Sequence, residues 1–109
     1  MNLSEEEILE LKQAFRGELN IDSEDPLAPI NIWNYRNLND DTCLHIAVSR
    51  GQHRIVQLLI KGGIDVNSIG AMGRNALHLA RKNQDERMIQ TLIACGVDRN
   101  VEDDFGLMS

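Results

Sequence analysis

Aromatic residues are scarce in this chain: one Trp, one Tyr and two Phe make up 4% of its 109 residues. A core with so few rings has to be built from Leu, Ile, Val and Ala, whereas the strands of sandwiches and barrels are usually rich in aromatic and β-branched residues. The scarcity therefore favours helices. The length predicts one small domain, and the hydrophobic fraction of 42% and charged fraction of 26% are ordinary for a globular one.

Cysteines and long apolar runs are also few. Cys43 and Cys95 do not suffice for a disulfide framework, so we expect reduced thiols and a cytoplasmic location. The N-terminal stretch MNLSEEEILE has neither the basic nor the apolar part of a signal peptide. No apolar run approaches the length that spans a bilayer, so no membrane association is expected.

Basic residues are outnumbered, with 11 Lys and Arg against 17 Asp and Glu and a formal net charge of −6. An acidic chain is poorly suited to phosphate backbones, so nucleic acid is not an expected partner. A partner protein with a basic surface is electrostatically better matched to it.

What the sequence does contain is an internal repeat with a period of 33 residues. The segment TCLHIAVSRGQHRIVQLLIKGGIDVN (42–67) aligns without a gap with NALHLARKNQDERMIQTLIACGVDRN (75–100). A fixed period of this length is typical of repeat proteins, in which neighbouring units share one continuous core. The alignment pairs identical residues such as His45 with His78, Gly63 with Gly96, and Asn67 with Asn100.

This repeat resembles that of the ankyrin family, which has a period of 33 residues and the signature T-P-L-H-x-A. TCLHIA (42–47) and NALHLA (75–80) carry the resemblance, and so do the GIDVN and GVDRN endings. The resemblance implies an all-α ankyrin-repeat solenoid over about residues 34–109. Its expected units are two full helix-turn-helix repeats at about 37–69 and 70–102 and a partial third repeat at 103–109.

Residues 1–33 lie outside the resemblance, and we expect there an N-terminal capping helix followed by an irregular connector. Ser4 and Glu7 have the spacing of a capping box at a helix start. Trp33 has no counterpart in the other copies, and we expect it to pack under the capping helix rather than to anchor a ligand.

The sequence also predicts where the helices of each repeat begin and end. Thr42 and Asn75 are expected N-caps, because a short side-chain oxygen can accept from the backbone of the first turn. Gln84 stands where the first copy has Gly51, between the two helices of a repeat. Asn83 or Gln84 therefore has to adopt an unusual backbone conformation there.

The segment NVEDDFGLMS (100–109) begins a third repeat and stops where its first helix would start. Either the chain is a fragment, or a shortened tail serves as the cap. Terminal repeats need a polar outer face. If nothing follows, the outer side of helix 85–94 is poorly covered, and we therefore consider a homodimer through that face.

Cys43, His45 and His78 are candidates for a metal or catalytic site, but the spacing favours a structural role. Equivalent histidines in stacked repeats should lie about 8–10 Å apart, whereas two zinc ligands each lie about 2 Å from one ion. Residues i and i+2 do not share a helical face, which weakens a Cys43–His45 pair. We expect no catalytic residue, metal or cofactor; an enzyme or metal site using Cys43 and His45 is the weaker alternative. His53 is expected to face solvent.

The resemblance implies binding through the hairpin fingers and the inner helix face. Leu38, Met72 and Phe105 are apolar residues on fingers, where polar residues are usual, which suggests a protein contact. The alternative for Phe105 and Leu107 is that they fold back over the last repeat. The expected partner-binding residues are Leu38, Asn39, Asp41, Ser49, Arg50, Ala71, Met72, Arg74, Lys82, Asn83, Asp104, Phe105 and Leu107.

The sequence therefore predicts a non-catalytic protein–protein interaction module. An inhibitor or immunity protein that masks a partner is one setting that fits so small a chain. A structural subunit of a homo-oligomer is the other non-catalytic alternative.

Overall fold

The fold is described by a computed structural model over residues 3–16, 32–33 and 35–109. These residues contain no β-strand, only an isolated bridge between Glu102 and Met108. The connector expected at 20–29 lies outside the described residues. The five described α-helices are α1 (Glu5–Ala14), α2 (Cys43–Ser49), α3 (His53–Lys61), α4 (Ala76–Lys82) and α5 (Glu86–Ala94), and a 3₁₀ turn covers Ala71–Gly73.

The helices begin where the sequence predicts. Thr42 and Asn75 are the N-caps of α2 and α4. At the start of α1, Ser4 Oγ accepts from the Glu7 backbone at 3.2 Å, and Glu7 Oε1 accepts from the Ser4 backbone at 3.0 Å. The predicted capping box is therefore confirmed. The acidic first turn also suits the positive end of the helix dipole.

The helices form two layers. Helix α2 packs on α4, the equivalent helix of the next repeat, while α3 pairs with α2 and α5 with α4. Helix α1 packs on α3 and is tied to it by Lys61 Nζ on Glu7 at 2.9 Å and Arg54 Nε on Glu10 at 3.2 Å. The predicted all-α repeat fold with an N-terminal capping helix is what these helices build.

The core is aliphatic, as the shortage of aromatic residues requires. Leu44, Leu59, Leu77 and Leu92 are fully buried, together with small residues such as Ala47 that let the inner helices approach closely. Deep burial of such side chains contributes roughly 1.5–3 kcal/mol each. The core therefore runs through both repeats without a break.

Trp33 lies next to Gly62, the residue that caps the end of α3. Its ring is half-buried against the core. The ring lies so close to Gly62 that a Cβ on this glycine would overlap it, and the Leu3 side chain approaches the same Cβ position. The ring therefore packs on the core near the start of the capping helix, and its packing under that helix stays a prediction. The equivalent position in the second repeat is Cys95, which is exposed.

Candidate functional site

Three hairpin fingers recur along the chain at intervals of 33 residues. Two of them precede the inner helices α2 and α4, and the third follows the second repeat. We define finger 1 as residues 35–41, finger 2 as 68–74 and finger 3 as 101–107. In each, the third residue donates its backbone N–H to the carbonyl oxygen of the seventh. These bonds are Asn37 to Asp41 at 3.0 Å, Gly70 to Arg74 at 2.8 Å and Asp103 to Leu107 at 2.9 Å.

The tips of fingers 1 and 3 are shaped by one side-chain oxygen. In finger 1, Oδ1 of Asn37 accepts from the backbone of Asn39 at 2.9 Å and of Asp41 at 3.0 Å. In finger 3, Oδ1 of Asp103 accepts from the corresponding N–H groups at 2.9 and 2.8 Å. Such bonds replace a backbone turn and fix the tip.

Finger 2 has Gly70 at this position and therefore lacks the side-chain acceptor. Asp41 of finger 1 supplies it instead, because its Oδ1 accepts from the Ala71 backbone at 3.0 Å. A Cβ at Gly70 would come within 2.6 Å of that oxygen. The glycine therefore makes room for the neighbouring finger's carboxylate.

Further bonds join the fingers into one row. Arg36 Nη1 donates to the Ile69 carbonyl at 2.9 Å, linking fingers 1 and 2. The Asp104 backbone donates to the Met72 carbonyl at 2.9 Å, linking fingers 2 and 3. The three tips therefore stand side by side as one surface.

Each histidine of the signature ties an inner helix to the next finger. Nδ1 of His45 accepts from the Thr42 backbone at 3.2 Å, so Nε2 carries the proton and donates to the Arg74 carbonyl at 3.2 Å. Burial lowers the pKa of His45, although nearby Asp41 acts in the opposite direction. His78 makes the same two kinds of bond, to Asn75 at 3.0 Å and to the finger 3 backbone at 2.9 Å.

These bonds favour a structural role for the signature residues over a metal-binding or catalytic role. Both ring nitrogens of His45 and of His78 are engaged, which leaves no lone pair for a metal. Cys43 is fully buried, so a substrate cannot reach its sulfur. In the described part of the chain, no three His, Cys, Asp or Glu side chains are grouped to hold a metal ion.

His53 departs from the prediction that it faces solvent. It is half-buried, and its Nε2 lies 2.8 Å from Oδ2 of Asp85 in the next repeat. Asp85 also caps α5, since its Oδ1 accepts from the Met88 backbone at 3.2 Å. The prediction is wrong because it placed His53 on its own helix and could not include a contact from the following repeat.

Three of the predicted partner-binding residues hold the repeats together. Asp41 bonds finger 2, as described above. Arg74 Nε lies 3.5 Å from Oδ2 of Asp103. Asn83 Nδ2 donates to the Ser49 carbonyl at 3.1 Å, which joins the ends of α2 and α4. We therefore assign a structural role to these three residues.

The other predicted residues are mostly at the surface. Ala71 is half-buried. Finger 3 closes on the second repeat through its backbone, while the side chains of Phe105 and Leu107 stay exposed, the Phe105 ring lying 6.0 Å from the Arg74 guanidinium. The exposed members of the predicted set are Leu38, Asn39, Ser49, Arg50, Met72, Lys82, Asp104, Phe105, Leu107 and also Asn83.

Large apolar side chains are exposed almost only on this side of the molecule. Seven are exposed among the described residues, and Leu9 on α1 is the one that lies away from the finger region. The other six are on or next to the fingers: Leu38, Ile69, Met72, Phe105, Leu107 and Met108.

Sequence reasoning missed two residues of the inner helix face. Ile46 of α2 and Leu79 of α4 are half-buried and occupy equivalent positions. Each stands three residues before a predicted binding residue, Ser49 or Lys82, and therefore on the same helical face. That spacing is the signal that identifies them. They form the floor between the fingers and the polar ends of α2 and α4.

The repeats as a whole are neutral in formal charge, although the three fingers hold five acidic residues against two basic ones. Residues 1–33 contain eight acidic and two basic residues, whereas 34–109 contain nine of each. The whole net charge of −6 therefore arises before the repeats. The expectation of a partner with a basic surface rested on the net charge of the whole chain, and it stays a prediction.

The outer face of the second repeat is polar where it is exposed. In the stretch 85–94 no large hydrophobic residue is exposed, and Met88, Ile89 and Leu92 are buried. The expected homodimer through this face stays a prediction.

Comparison with known proteins agrees with this architecture. The family model described as "Ankyrin repeats (3 copies)" matches residues 12–103, so the chain belongs to the ankyrin-repeat family. Ankyrin-repeat domains generally mediate protein–protein interaction and are typically non-catalytic. The match begins inside α1, before the two repeats that carry the signature. No curated protein gives a significant match. None of the described helices is long and apolar enough to cross a membrane.

Proposed function

We propose that this chain is a non-catalytic binding module that recognises a partner protein through its three fingers and the inner helix face beside them. The observation that supports this most directly is the location of six of the seven exposed large hydrophobic residues on or next to the fingers. Scattered apolar residues are ordinary on a protein surface, but a contiguous apolar patch marks an interaction site.

Met72 gives this proposal its most specific support. Its side chain is 52% exposed at the tip of finger 2, and its backbone is left-handed, with φ at 60°. That conformation costs a residue with a side chain about 1–2 kcal/mol. Because the Met72 side chain is exposed, its packing within the isolated chain offsets little of this strain. We therefore expect the side chain to contact a partner.

Capture from a lysate of the source cells tests the proposal. The tagged chain is compared with Met72→Arg and with Leu9→Arg, which places the same side chain on the exposed apolar residue of α1. We expect Leu9→Arg to retain the captured protein and Met72→Arg to lose it by about tenfold or more, since central apolar contacts dominate interfaces. Circular dichroism shows whether both variants are folded.

Equal retention by Met72→Arg and the unchanged chain contradicts the proposed surface. Loss with both variants also contradicts it, because the contact then does not depend on the fingers in particular. Masking of the partner, as by an inhibitor or immunity protein, is a finer prediction, and assay of the captured protein with and without the chain tests it. The cytoplasmic location likewise stays a prediction.

A further inference from the structure

We propose that the finger surface binds a segment of the partner protein in which Lys or Arg stands among apolar side chains, and that this cation pairs with Asp104. The inference rests on the proposed function and adds the chemistry of the partner. Its basis is the charge of the fingers themselves, not the net charge of the whole chain.

Charge is unevenly divided within the repeats. The three fingers contain five acidic and two basic residues, whereas the rest of 34–109 contains four acidic and seven basic residues. The formal charge is therefore −3 on the fingers and +3 on the remainder. A segment that lies on the fingers meets a negative potential at short range, and positive charge on that segment is complementary to it.

Three of the five finger carboxylates are already engaged within the chain. Asp40 and Asp103 lie in ion pairs, at 3.4 and 3.5 Å, and Asp41 accepts from the finger 2 backbone at 3.0 Å. Glu102 and Asp104 are exposed, and within the described part of the chain no cation pairs with either carboxylate. Finger 3 therefore holds the two carboxylates that a partner's cation can pair with.

Asp104 lies beside the apolar tip of finger 2. Its backbone N–H donates to the Met72 carbonyl at 2.9 Å. Its side chain lies against the next residue, since a Cβ on Gly73 would come within 2.6 Å of Asp104 Oδ1. The corresponding residues of fingers 1 and 2 are Leu38 and Ala71, so only finger 3 has a charge at this position. The exposed methionine and a carboxylate therefore adjoin.

A Lys or Arg side chain matches this arrangement. Its methylene stem can pack on exposed apolar side chains while its charged head reaches a carboxylate. Phe105, which corresponds to Met72 in finger 3, adds an exposed ring, and aromatic faces attract cations. Arg74 pairs with the buried Asp103 and lies 6.0 Å from the Phe105 ring, so it neutralises that carboxylate and not Asp104.

The far edge of the surface has the opposite charge. The exposed Lys82 ends α4, six residues after Ala76, which is roughly 9 Å along the helix at about 1.5 Å per residue. Repulsion there directs a basic side chain of the partner toward the fingers. Such complementarity sets orientation more than raw affinity.

Other occupants fit these charges less well. Finger-to-finger association of two copies of this chain would bring together two surfaces of formal charge −3. Nucleic acid would bring phosphates against the same carboxylates. A basic and apolar protein segment meets neither repulsion.

Selection of random 16-residue peptides displayed on phage against the immobilised full chain tests the inference. We expect the enriched peptides to combine large apolar residues with Lys or Arg. The strongest is synthesised, and its binding is measured by fluorescence anisotropy. Asp104→Asn should weaken binding about fivefold, and Asp104→Lys about tenfold or more. Glu86→Gln is the matched control, since it removes one exposed carboxylate from α5 and should leave binding unchanged.

A reversed peptide tests the contact itself. Replacing its basic residue with Glu should weaken binding to the unchanged chain and restore binding to Asp104→Lys. Failure of this exchange, or equal weakening by Asp104→Asn and Glu86→Gln, overturns the inference, because the effect is then one of overall charge or of another site. Circular dichroism shows whether the variants are folded.

The remaining outcomes separate this inference from the proposed function. Met72→Ala removes the apolar tip without adding charge. Enrichment of acidic or uncharged peptides that Met72→Ala binds weakly overturns the basic partner and leaves the binding surface standing. Self-association of the unchanged chain in sedimentation, lost with Met72→Ala, identifies a second copy as the occupant and also overturns it. If no peptide is enriched, or if the peptides bind Met72→Ala unchanged, the inference and the proposed surface both fail.

Discussion

The Nε2 atom of His78 lies 2.9 Å from the carbonyl oxygen of Leu107, 29 residues further along the chain. The same bond, with the same sequence separation, joins His45 to the carbonyl oxygen of Arg74. Each signature histidine therefore closes a helix cap with one nitrogen and holds the next finger with the other. Finger 3 is consequently fixed to the second repeat.

The first prediction concerns the pH dependence of stability. Burial lowers the pKa of His45 below its ordinary value of 6.5, so the unfolded chain binds this proton more readily than the folded one. The resulting stability is fully present above about pH 6.5 and is lost as the pH falls below it. Protonation would also place a proton on Nδ1, where the Thr42 N–H now donates.

His45→Gln tests this prediction, because Gln at the same position preserves a capping box without titrating. At about pH 7.5 the variant should be less stable by about 1 kcal/mol through loss of the bond to Arg74. Between about pH 7.5 and 5.5 the unchanged chain should lose more stability than the variant, as measured by urea unfolding. Parallel losses in the two proteins would show that His45 is not the titrating group.

The fold was predictable from the sequence because its determinants are local and occur twice. As N-caps, Thr42 and Asn75 accept hydrogen bonds from within the first turn of their own helices, so this role follows from their neighbours. Comparison with Gly51 narrowed the unusual backbone to Asn83 or Gln84, and the structure places it at Gln84. Such features need no knowledge of which helices lie next to each other.

The finger surface was only partly predictable because its contacts join distant residues. The bond of Asn83 to the end of α2 and that of Asp85 to His53 depend on how one repeat sits on the next. A pattern along the chain does not give the orientation of these side chains. The apolar floor at Ile46 and Leu79 was missed for a different reason: it is apolar and half-buried, and so is indistinguishable from core in sequence.

The second prediction concerns the strained backbone at Gln84, whose φ is 54°, while Gly51 at the equivalent position has φ of 69°. Gln84→Gly should stabilise the chain by roughly 0.5–1 kcal/mol, since relief of strain exceeds the added entropy of the unfolded glycine. Gly51→Gln should destabilise it by about 1 kcal/mol. Nothing lies within 4 Å of a Cβ at Gly51, so strain alone is changed there. Thermal unfolding of both variants checks the pair, and shifts of the same sign would contradict it.

The third prediction concerns Asp103, which in finger 3 has the role that Asn37 has in finger 1. Hydrogen bonds from the backbone of Leu107 first, then Phe105, and from Arg74 hold the pKa of the Asp103 carboxyl below its ordinary value of 3.8. Its stabilising effect is therefore present above about pH 3.8 and is lost as the pH falls through the lowered pKa.

Two substitutions separate the acceptor from the charge. Asp103→Asn keeps the Oδ1 acceptor, as Asn37 does, and should change the melting temperature little at neutral pH. Asp103→Ala leaves the backbone N–H groups of Phe105 and Leu107 without their acceptor and should lower it by roughly 5–10 °C. Equal losses in both would mean that the charge next to Arg74, rather than the turn, holds finger 3. In that case 0.5 M salt should weaken the unchanged chain toward the variants, since ion pairs near the surface are screened.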